Sequence, residues 1–311
     1  MDTRVSLRRA GTLVGAIADQ LRAPTPVPVA HFDLASAAAA LRQAGAHVAQ
    51  VRVDARSDPW TPTGLFVEQG AAMTWLANGD SWIATRGGPH LDTGLQLRVR
   101  TGGRAPALDG TGTTFTAAAP HGGPIELCSL FPGELREAEE HVTYDRMMPR
   151  ALFRGGFDVV VAAWATGTDV DARLAEAAAR DATGLCRREL ERVRAPVAPP
   201  AGWTPHGHVP LAGLHRERDG EIDVHSHGRV EIVCREARAP VTETLRLRWR
   251  WRMDHLPAKR AEDTLLTHDY MSVAVEFDDG RDLSYYWSVA LPVEASYRCP
   301  LPFCQCRVRR S

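Results

Sequence analysis

The segment Thr244-Leu-Arg-Leu-Arg-Trp-Arg-Trp-Arg-Met-Asp254 alternates large apolar side chains with arginines. Successive side chains of a β-strand point to opposite faces of a sheet, so a period of two separates the two sets. The pattern places Leu245, Leu247, Trp249 and Trp251 on one face and Arg246, Arg248, Arg250 and Arg252 on the other. We therefore predict a strand with its indole rings inward and its guanidinium groups outward, within a β domain.

The predicted partner of this strand is Val273-Ala-Val-Glu-Phe-Asp278, which alternates in the same way. Pairing the two strands would bury both apolar rows and bring the arginines opposite Glu276 and Asp278. Such ion pairs need no ligand, and we favour them as the explanation of the arginine row. The alternative is a groove for an anionic polymer, because arginine binds carboxylates and phosphates through two parallel hydrogen bonds. Arg248 and Arg250 would then be ligand-binding residues.

The whole chain divides into four segments that differ in composition and in the pattern of apolar residues. Residues 1–47 form an N-terminal leader with a helix over 31–47, and residues 48–166 contain short apolar stretches separated by turn residues. Residues 167–202 combine helical periodicity with a proline-rich linker, and residues 203–311 form a second β region. Short strands with turn signals between them are typical of sandwiches. We predict a mainly β protein, with two jelly-roll-like β-sandwich domains joined by the helical and Pro-rich linker.

The composition excludes several classes of function. With 37 basic and 38 acidic residues, the chain of 311 residues has a net charge of -1, which gives no general attraction to nucleic acid or an anionic membrane. No apolar run approaches the roughly 20 residues of a membrane-spanning helix. The N-terminal segment lacks a convincing signal-peptide cleavage site, which predicts a cytoplasmic protein by default, with export as the alternative. Nucleophile elbows, phosphate-binding loops and dinucleotide fingerprints are also absent from the sequence.

Four motifs stand out in the first β region. They are Trp60-Thr-Pro-Thr-Gly-Leu65, Gly94-Leu-Gln-Leu-Arg-Val-Arg100, Glu126-Leu-Cys-Ser-Leu-Phe-Pro-Gly-Glu134 and Gly155-Gly-Phe-Asp-Val-Val-Val161. Together they resemble the galactophilic lectin-A type of bacterial lectin. This resemblance implies a β-sandwich that binds sugar through a calcium ion. Because one fold can serve many functions, the resemblance supports the fold more strongly than the function.

The lectin resemblance also implies site residues. Trp82 or His90 would stack on the apolar face of a hexose. Calcium takes roughly six to eight oxygen ligands, and its candidates here are Glu134, Glu137, Asp145 and Asp158. The segment 135–146 departs from the family, because it lacks the Asn-Asn pair and begins like an exposed helix. A solvated, charged loop without calcium is therefore the alternative.

The second β region has motifs of its own: the segment from Leu245 to Asp254, His268-Asp-Tyr-Met-Ser-Val-Ala-Val-Glu-Phe-Asp278 and Leu283-Ser-Tyr-Tyr-Trp-Ser288. From about Trp203 to Pro302 this region resembles the bacterial domain-of-unknown-function 3047 family. The resemblance implies a β-sandwich and supplies no catalytic residues. The family's pattern is absent from the Cys-rich ending, residues 303–311, so we predict that the second sandwich is incomplete at its C-terminus.

One short run of residues has the composition of a metal site. Asp223, His225 and His227 alternate along the chain, so a strand would place all three on one face. Imidazole and carboxylate groups suit zinc or a similar ion. Exposed polar residues of a strand are the plainer interpretation, since such motifs need a structural context.

The predicted function is that of a carbohydrate-binding or interaction protein without established catalysis. The alternative is an enzyme, a lyase or hydrolase, that acts on an anionic glycan through the second β domain. Such an enzyme needs a positioned base and a group that neutralises the charge of the substrate. Candidates for these roles are His268, Tyr270 and Arg250.

Overall fold

The structure is a computed structural model that divides into two compact units. It describes residues 33–56, 60–83, 90–109, 113–130, 135–138, 141–144, 150–195, 198–205, 215–224, 231–254, 272–278, 281–287, 291–298 and 307–310. Of these, the residues up to Arg238 form the first unit, and those from Ala239 onward belong to the second. The domain bounds expected from the sequence stay a prediction.

The described elements are mostly strands. The helices are α1 (Leu34–Gln43), α2 (Thr93–Gln96), α3 (Val170–Ala178) and α4 (Leu185–Arg194), with a 3-10 turn at Arg150–Leu152. The strands of the first unit are β1 (His47–Asp54), β2 (Trp60–Val67), β3 (Ala72–Ile83), β4 (His90–Asp92), β5 (Leu97–Thr101), β6 (Arg104–Asp109), β7 (Thr114–Ala118), β8 (Gly123–Ser129), β9 (Leu135–Ala138), β10 (His141–Tyr144), β11 (Phe153–Ala163), β12 (Thr204–Pro205), β13 (His215–Arg218), β14 (Glu221–Val224) and β15 (Val233–Cys234). Those of the second unit are β16 (Ser272–Glu276), β17 (Asp282–Tyr286), β18 (Ser296–Arg298) and β19 (Arg307–Arg310). No helix among the described residues is long and apolar enough to cross a membrane.

Two antiparallel sheets form the body of the first unit. The central sheet has the strand order β1-β11-β3-β4, with β7 also paired to β3, and the outer sheet has the order β2-β8-β5-β6. β11 is an inner strand that pairs with β1 on one side and with β3 on the other. The mainly β, antiparallel fold expected from the turn-rich sequence is confirmed.

The two sheets pack face to face through alternate residues. On β11, Val159 and Val161 lie in one buried cluster with Ile125 of the outer sheet. Val160 and Ala162, on the opposite face of the same strand, lie in a second buried cluster. Because both of its faces are covered, this stretch of β11 is a continuous apolar run rather than an apolar–polar alternation.

Three helices cover the second face of the central sheet. α1, α3 and α4 contribute Leu41, Leu174 and Leu190 to the buried cluster that contains Val160 and Trp164. The sequence pattern assigns α1 to a leader and the other two helices to a linker, whereas in the structure all three share their core with the sheet. The physical reason is length: helices of 9 or 10 residues are marginal alone and are stabilised by packing an apolar side.

A helix lies within the predicted range 31–47, but it is shorter: α1 spans Leu34–Gln43, and His47 already belongs to β1. Local signals explain the ends of α1. Asp33 accepts a hydrogen bond from the backbone N–H of Ala35 at 2.9 Å, which satisfies one free donor of the first turn. Gly45 follows the end of the helix with a φ of 96°, a conformation that glycine adopts without a steric penalty.

A buried carboxylate caps α4. Asp181 accepts hydrogen bonds from the backbone N–H of Cys186 at 2.9 Å and from the backbone N–H and hydroxyl of Thr183 at 2.9 and 2.7 Å. Burial raises the pKa of Asp181, but the hydrogen bonds from Cys186 and Thr183 together lower it below its usual value. The ionised carboxylate therefore holds the first turn of α4.

We expect Asp181→Ala to lower the free energy of unfolding of the first unit by about 1–2 kcal/mol at pH 7, as for other lost helix caps. The pKa of Asp181 is lower in the folded state, so its contribution is complete above the unfolded pKa and is lost as the pH falls through the folded pKa. The difference between wild type and variant should shrink below about pH 4. Urea unfolding at pH 7 and pH 3 measures it, and a difference that does not change with pH would contradict this role.

The described strands of the second unit form one four-stranded sheet, with the order β16-β17-β19-β18. β17 and β19 are parallel, and the other two pairs are antiparallel. β19 lies in the Cys-rich ending, where the sequence pattern of the family is absent, yet it lies between two strands of this sheet. The second sheet of the expected sandwich stays a prediction.

The predicted pairing of 244–254 with 273–278 is wrong. Among the strand pairs that the structure describes, β16 pairs with β17, and residues 245–252 belong to no sheet. The loop between β16 and β17 is short, so this hairpin closes at a smaller entropic cost than a pairing with the more distant segment. The tryptophans nevertheless face inward, because Trp249 and Trp251 are half-buried and the arginines are exposed. Leu245 and Leu247, expected in the core, are exposed.

Candidate functional site

Beyond the helices, the central sheet ends in polar side chains. The antiparallel register places them in three rows across neighbouring strands. The first row contains Arg52, Asp158 and Asn78, the second Asp54, Gly156 and Asp80, and the third Arg154 and Trp82. We call these eight residues the polar end of the central sheet. The first two rows continue the face that bears Val160, but they lie past the helical cover.

Charged groups alternate along the β1 side of the polar end. Arg52 donates a hydrogen bond from Nη1 to Oδ2 of Asp158 at 2.8 Å, and both side chains are about half exposed, at 54% and 55%. Asp54 accepts hydrogen bonds from Nε and Nη2 of Arg56 at 3.2 Å each. The hydrogen-bonded guanidinium of Arg56 holds the pKa of Asp54 below its usual value. The surface therefore presents fixed donors and acceptors side by side at neutral pH.

Trp82 lies at the third row, where β3 meets both β11 and β4. It is half-buried, stands opposite His90 in the β3–β4 pair, and stands opposite Arg154 in the β3–β11 pair. Its ring packs against Gly155, since a Cβ at that position would lie 2.7 Å from Cζ3 of the ring. Glycine is thus the residue that allows the indole to rest on the backbone of β11.

The guanidinium group of Arg154 is directed toward its own stretch of chain and not toward Trp82 in the same row. Its Nη1 donates hydrogen bonds to the carbonyl oxygens of Ala151 and Phe153 at 2.5 and 2.7 Å. The side chain therefore folds back on its own strand, close to the 3-10 turn. The guanidinium group of Arg154 is therefore already engaged by carbonyl oxygens of its own stretch of chain.

The structure brings together three of the residues implied by the lectin resemblance. Trp82 and His90 are opposite each other in register, and Asp158 lies on the adjacent strand β11. Glu134 and Asp145 lie outside the described residues. The backbone of Glu137 lies in β9, opposite Val142 of β10, so a hairpin replaces the exposed helix that the sequence pattern indicates.

The described part of the calcium candidates does not fit a calcium site. The carboxylate of Asp158 is occupied by the guanidinium of Arg52, and a cation next to an arginine would be repelled. Among the residues that the structure describes, no group of three His, Cys, Asp or Glu side chains is placed to hold a metal ion. Calcium binding through Glu134 and Asp145 stays a prediction.

The candidate metal ligands of the second β region are described only in part. Asp223 lies in β14, exposed and opposite Arg216 of the neighbouring strand β13. His225 and His227 lie outside the described residues, and so do His268 and Tyr270, the candidates for a catalytic base. The metal site and the lyase or hydrolase activity therefore stay predictions.

The arginine row lies on the exposed side of its segment, but not in the ion pairs that the sequence pattern favours. Glu276 and Asp278 are on or next to β16, which pairs with β17 instead. Among the described residues, Arg248 and Arg250 have no hydrogen bond and no ion pair. The favoured explanation of these two arginines is therefore wrong, because the segment that carries them lies in no sheet of the described residues and does not pair with β16.

Two buried glutamates with basic partners escape detection from the sequence. Glu231 is almost fully buried and its Oε1 lies 2.9 Å from Nδ1 of His215, sixteen residues earlier in the chain. Glu189 is fully buried and is bound by Arg192 one helical turn later. Only the second pair has a signal in the sequence, the spacing of three residues on a helix, which also occurs in exposed pairs.

The chain is similar in part to a protein family and in part to a solved structure. No curated protein matches the chain. A solved structure described as "EclA N-terminal domain; PllA-like lectin" matches with 18% identity and a TM-score of 0.27, over 37% of this chain and 96% of its own. Residues 213–301, within the range expected from the sequence, match the family described as "Protein of unknown function (DUF3047)".

Proposed function

We propose that the first unit binds carbohydrate at the polar end of the central sheet. The observation that supports this is the position of Trp82, whose ring rests on Gly155 beside a surface of alternating carboxylate and guanidinium groups. A sugar ring offers an apolar face of C–H groups and an edge of hydroxyls. An indole ring stacks on the apolar face, and charged planar groups form hydrogen bonds with the hydroxyls.

The neighbouring rows supply the polar part of such a site. The Arg52–Asp158 pair presents a donor and an acceptor side by side, and Asp54 is kept ionised by Arg56. These groups are already held by one another, so a hydroxyl can add to them without large rearrangement. The proposed ligand is a neutral monosaccharide unit, because the carboxylates of Asp158 and Asp54 are each already paired with a guanidinium group, from Arg52 and Arg56.

We expect Trp82→Ala to weaken sugar binding by about tenfold or more, because the stacking of a ring face contributes on the order of 1.5 kcal/mol. Binding of galactose, glucose, mannose and N-acetylglucosamine to the full chain can be measured by isothermal titration calorimetry. The matched control is Phe66→Ala, which removes another aromatic side chain, 74% exposed on β2 of the outer sheet. The control should bind as wild type does.

Two results would contradict this proposal. Equal weakening by Trp82→Ala and Phe66→Ala would show that the aromatic ring at the polar end has no special role. Loss of binding in EDTA would assign the sugar to the calcium candidates Glu134 and Asp145 instead. Circular dichroism of each variant confirms that a loss of binding is not a loss of fold.

A further inference from the structure

The second unit carries a cationic surface that is separate from the proposed sugar site. Along its backbone segment, residues 245–252, all four arginines are exposed and the two tryptophans are half-buried, while Leu245 and Leu247 are exposed as well. The ring of Trp249 lies 4.8 Å from that of Tyr285, and the ring of Trp251 lies 5.9 Å from that of Trp287. These aromatic contacts hold one side of the segment against β17 and its end, so the arginines point away from that sheet.

The outer two arginines of the segment are engaged by neighbours. Arg246 donates hydrogen bonds from Nη1 to the carbonyl oxygens of Glu243 and Leu245 at 2.7 and 2.8 Å. Nε of Arg252 lies 3.0 Å from Oδ1 of Asp254. Their guanidinium groups therefore already have partners from the same stretch of chain.

The inner two arginines are available to a ligand. Arg248 and Arg250 flank Trp249, and the three residues line an open depression in the surface. Each guanidinium carries a permanent charge and five N–H donors. Alternate residues of an extended chain are about 6.6 Å apart, so the two cations stand on the same side with no described carboxylate between them. An anionic group is the ligand that satisfies both.

We propose that Arg248 and Arg250 bind an acidic polysaccharide, one that carries carboxylate or sulfate groups along its chain. Guanidinium forks bind both groups through paired hydrogen bonds, and two forks in line suit a ligand with repeated charges. Nucleic acid is disfavoured because base stacking needs free aromatic faces, and the rings of Trp249 and Trp251 are in contact with other rings.

The test compares two double variants of equal charge. Arg248→Ala with Arg250→Ala removes the inner pair, and Arg246→Ala with Arg252→Ala removes the outer pair. Polygalacturonate supplies carboxylates, heparin supplies sulfates, and dextran is the neutral control, each titrated into the full chain by calorimetry. We expect the inner variant to raise the Kd at least about tenfold and the outer variant to raise it less than about threefold.

The same titrations distinguish a carboxylate ligand from a sulfate ligand, and an acidic polysaccharide from other anionic polymers. Preference for polygalacturonate or heparin tells whether carboxylate or sulfate is bound, and added salt should weaken either interaction. Equal weakening by both double variants would overturn the proposal, since it would indicate attraction to charge alone. Equal affinity for single-stranded DNA or polyglutamate, or no binding to either acidic polysaccharide, would overturn it as well. Phe66→Ala, which changes an exposed aromatic side chain outside both proposed sites, should leave this binding unchanged.

Discussion

Arg192→Ala is expected to lower the free energy of unfolding of the first unit by about 3–5 kcal/mol. The side chain of Glu189 is fully buried, and its two carboxylate oxygens accept hydrogen bonds from Nε and Nη2 of Arg192 at 2.9 and 2.7 Å. Nη2 of Arg192 also donates to the carbonyl oxygen of Thr116 on β7 at 3.0 Å. Its guanidinium lies 4.5 Å from the ring of Phe115. Alanine would leave a carboxylate in the core with no counter-charge.

The same helix offers a matched control for the Arg192 variant. Arg194 pairs with Asp171 at 2.8 Å, but both side chains are largely exposed, so Arg194→Ala should change the stability by less than about 1 kcal/mol. Hydrogen exchange read peptide by peptide in α4 and β7 reports the local free energy of opening, with the second unit as an internal reference. Similar losses in the two variants would contradict the role of the buried pair. Replacing Glu189 by Leu together with Arg192 by Met should recover much of the loss.

Gly156→Ala is expected to destabilise the first unit by about 3–5 kcal/mol, because it combines an unfavourable backbone conformation with a clash. Gly156 has a φ of 153°, and a Cβ there would lie 2.3 Å from the carbonyl oxygen of Val53 and 3.0 Å from Cα of Asp54. Both are backbone atoms of β1, so relief would require β1 and β11 to separate. The rows of the polar end would then lose their register.

Gly167→Ala is the control for the glycine variant. Gly167 has a φ of 80°, but no atom lies within 4 Å of a Cβ built there. This variant therefore suffers only the conformational penalty, about 1–2 kcal/mol. Relative to wild type, hydrogen exchange of the backbone amides of β1 and β11 should be accelerated far more in Gly156→Ala than in Gly167→Ala. Equal protection of these strands in both variants would show that the close approach to Val53 is not a constraint.

The residues of the polar end could be predicted only in part. Trp82 and Asp158 follow from the lectin resemblance, and so does His90, which lies outside the polar end but opposite Trp82 on β4. Arg52 and Asp54 carry no signal, because they belong to β1, more than a hundred residues before the strand that they face. A row across a sheet depends on pairing between distant segments, and no local pattern records it.

The second unit shows the same division between local and distant information. Alternation along 245–252 is enough to place the arginines on one side and the tryptophans on the other, because the direction of a side chain follows from the conformation of its own backbone. The partner of that segment is a different matter. β16 pairs with β17 across a short loop, and this leaves Arg248 and Arg250 without the acids expected opposite them.

Patterns of neighbouring residues in the sequence were thus sufficient to predict the β class and the signals that start and end α1. They also predicted that the arginines and the tryptophans of the segment 245–252 lie on different sides. Folding in three dimensions was needed to set the helices against the central sheet, to bury Glu189 beside Arg192 and to align the rows of the polar end. Side-chain direction and helix capping depend on a few neighbouring residues. Burial and strand pairing depend on which distant segments compete for the same surface, and that competition is resolved only when the whole chain packs.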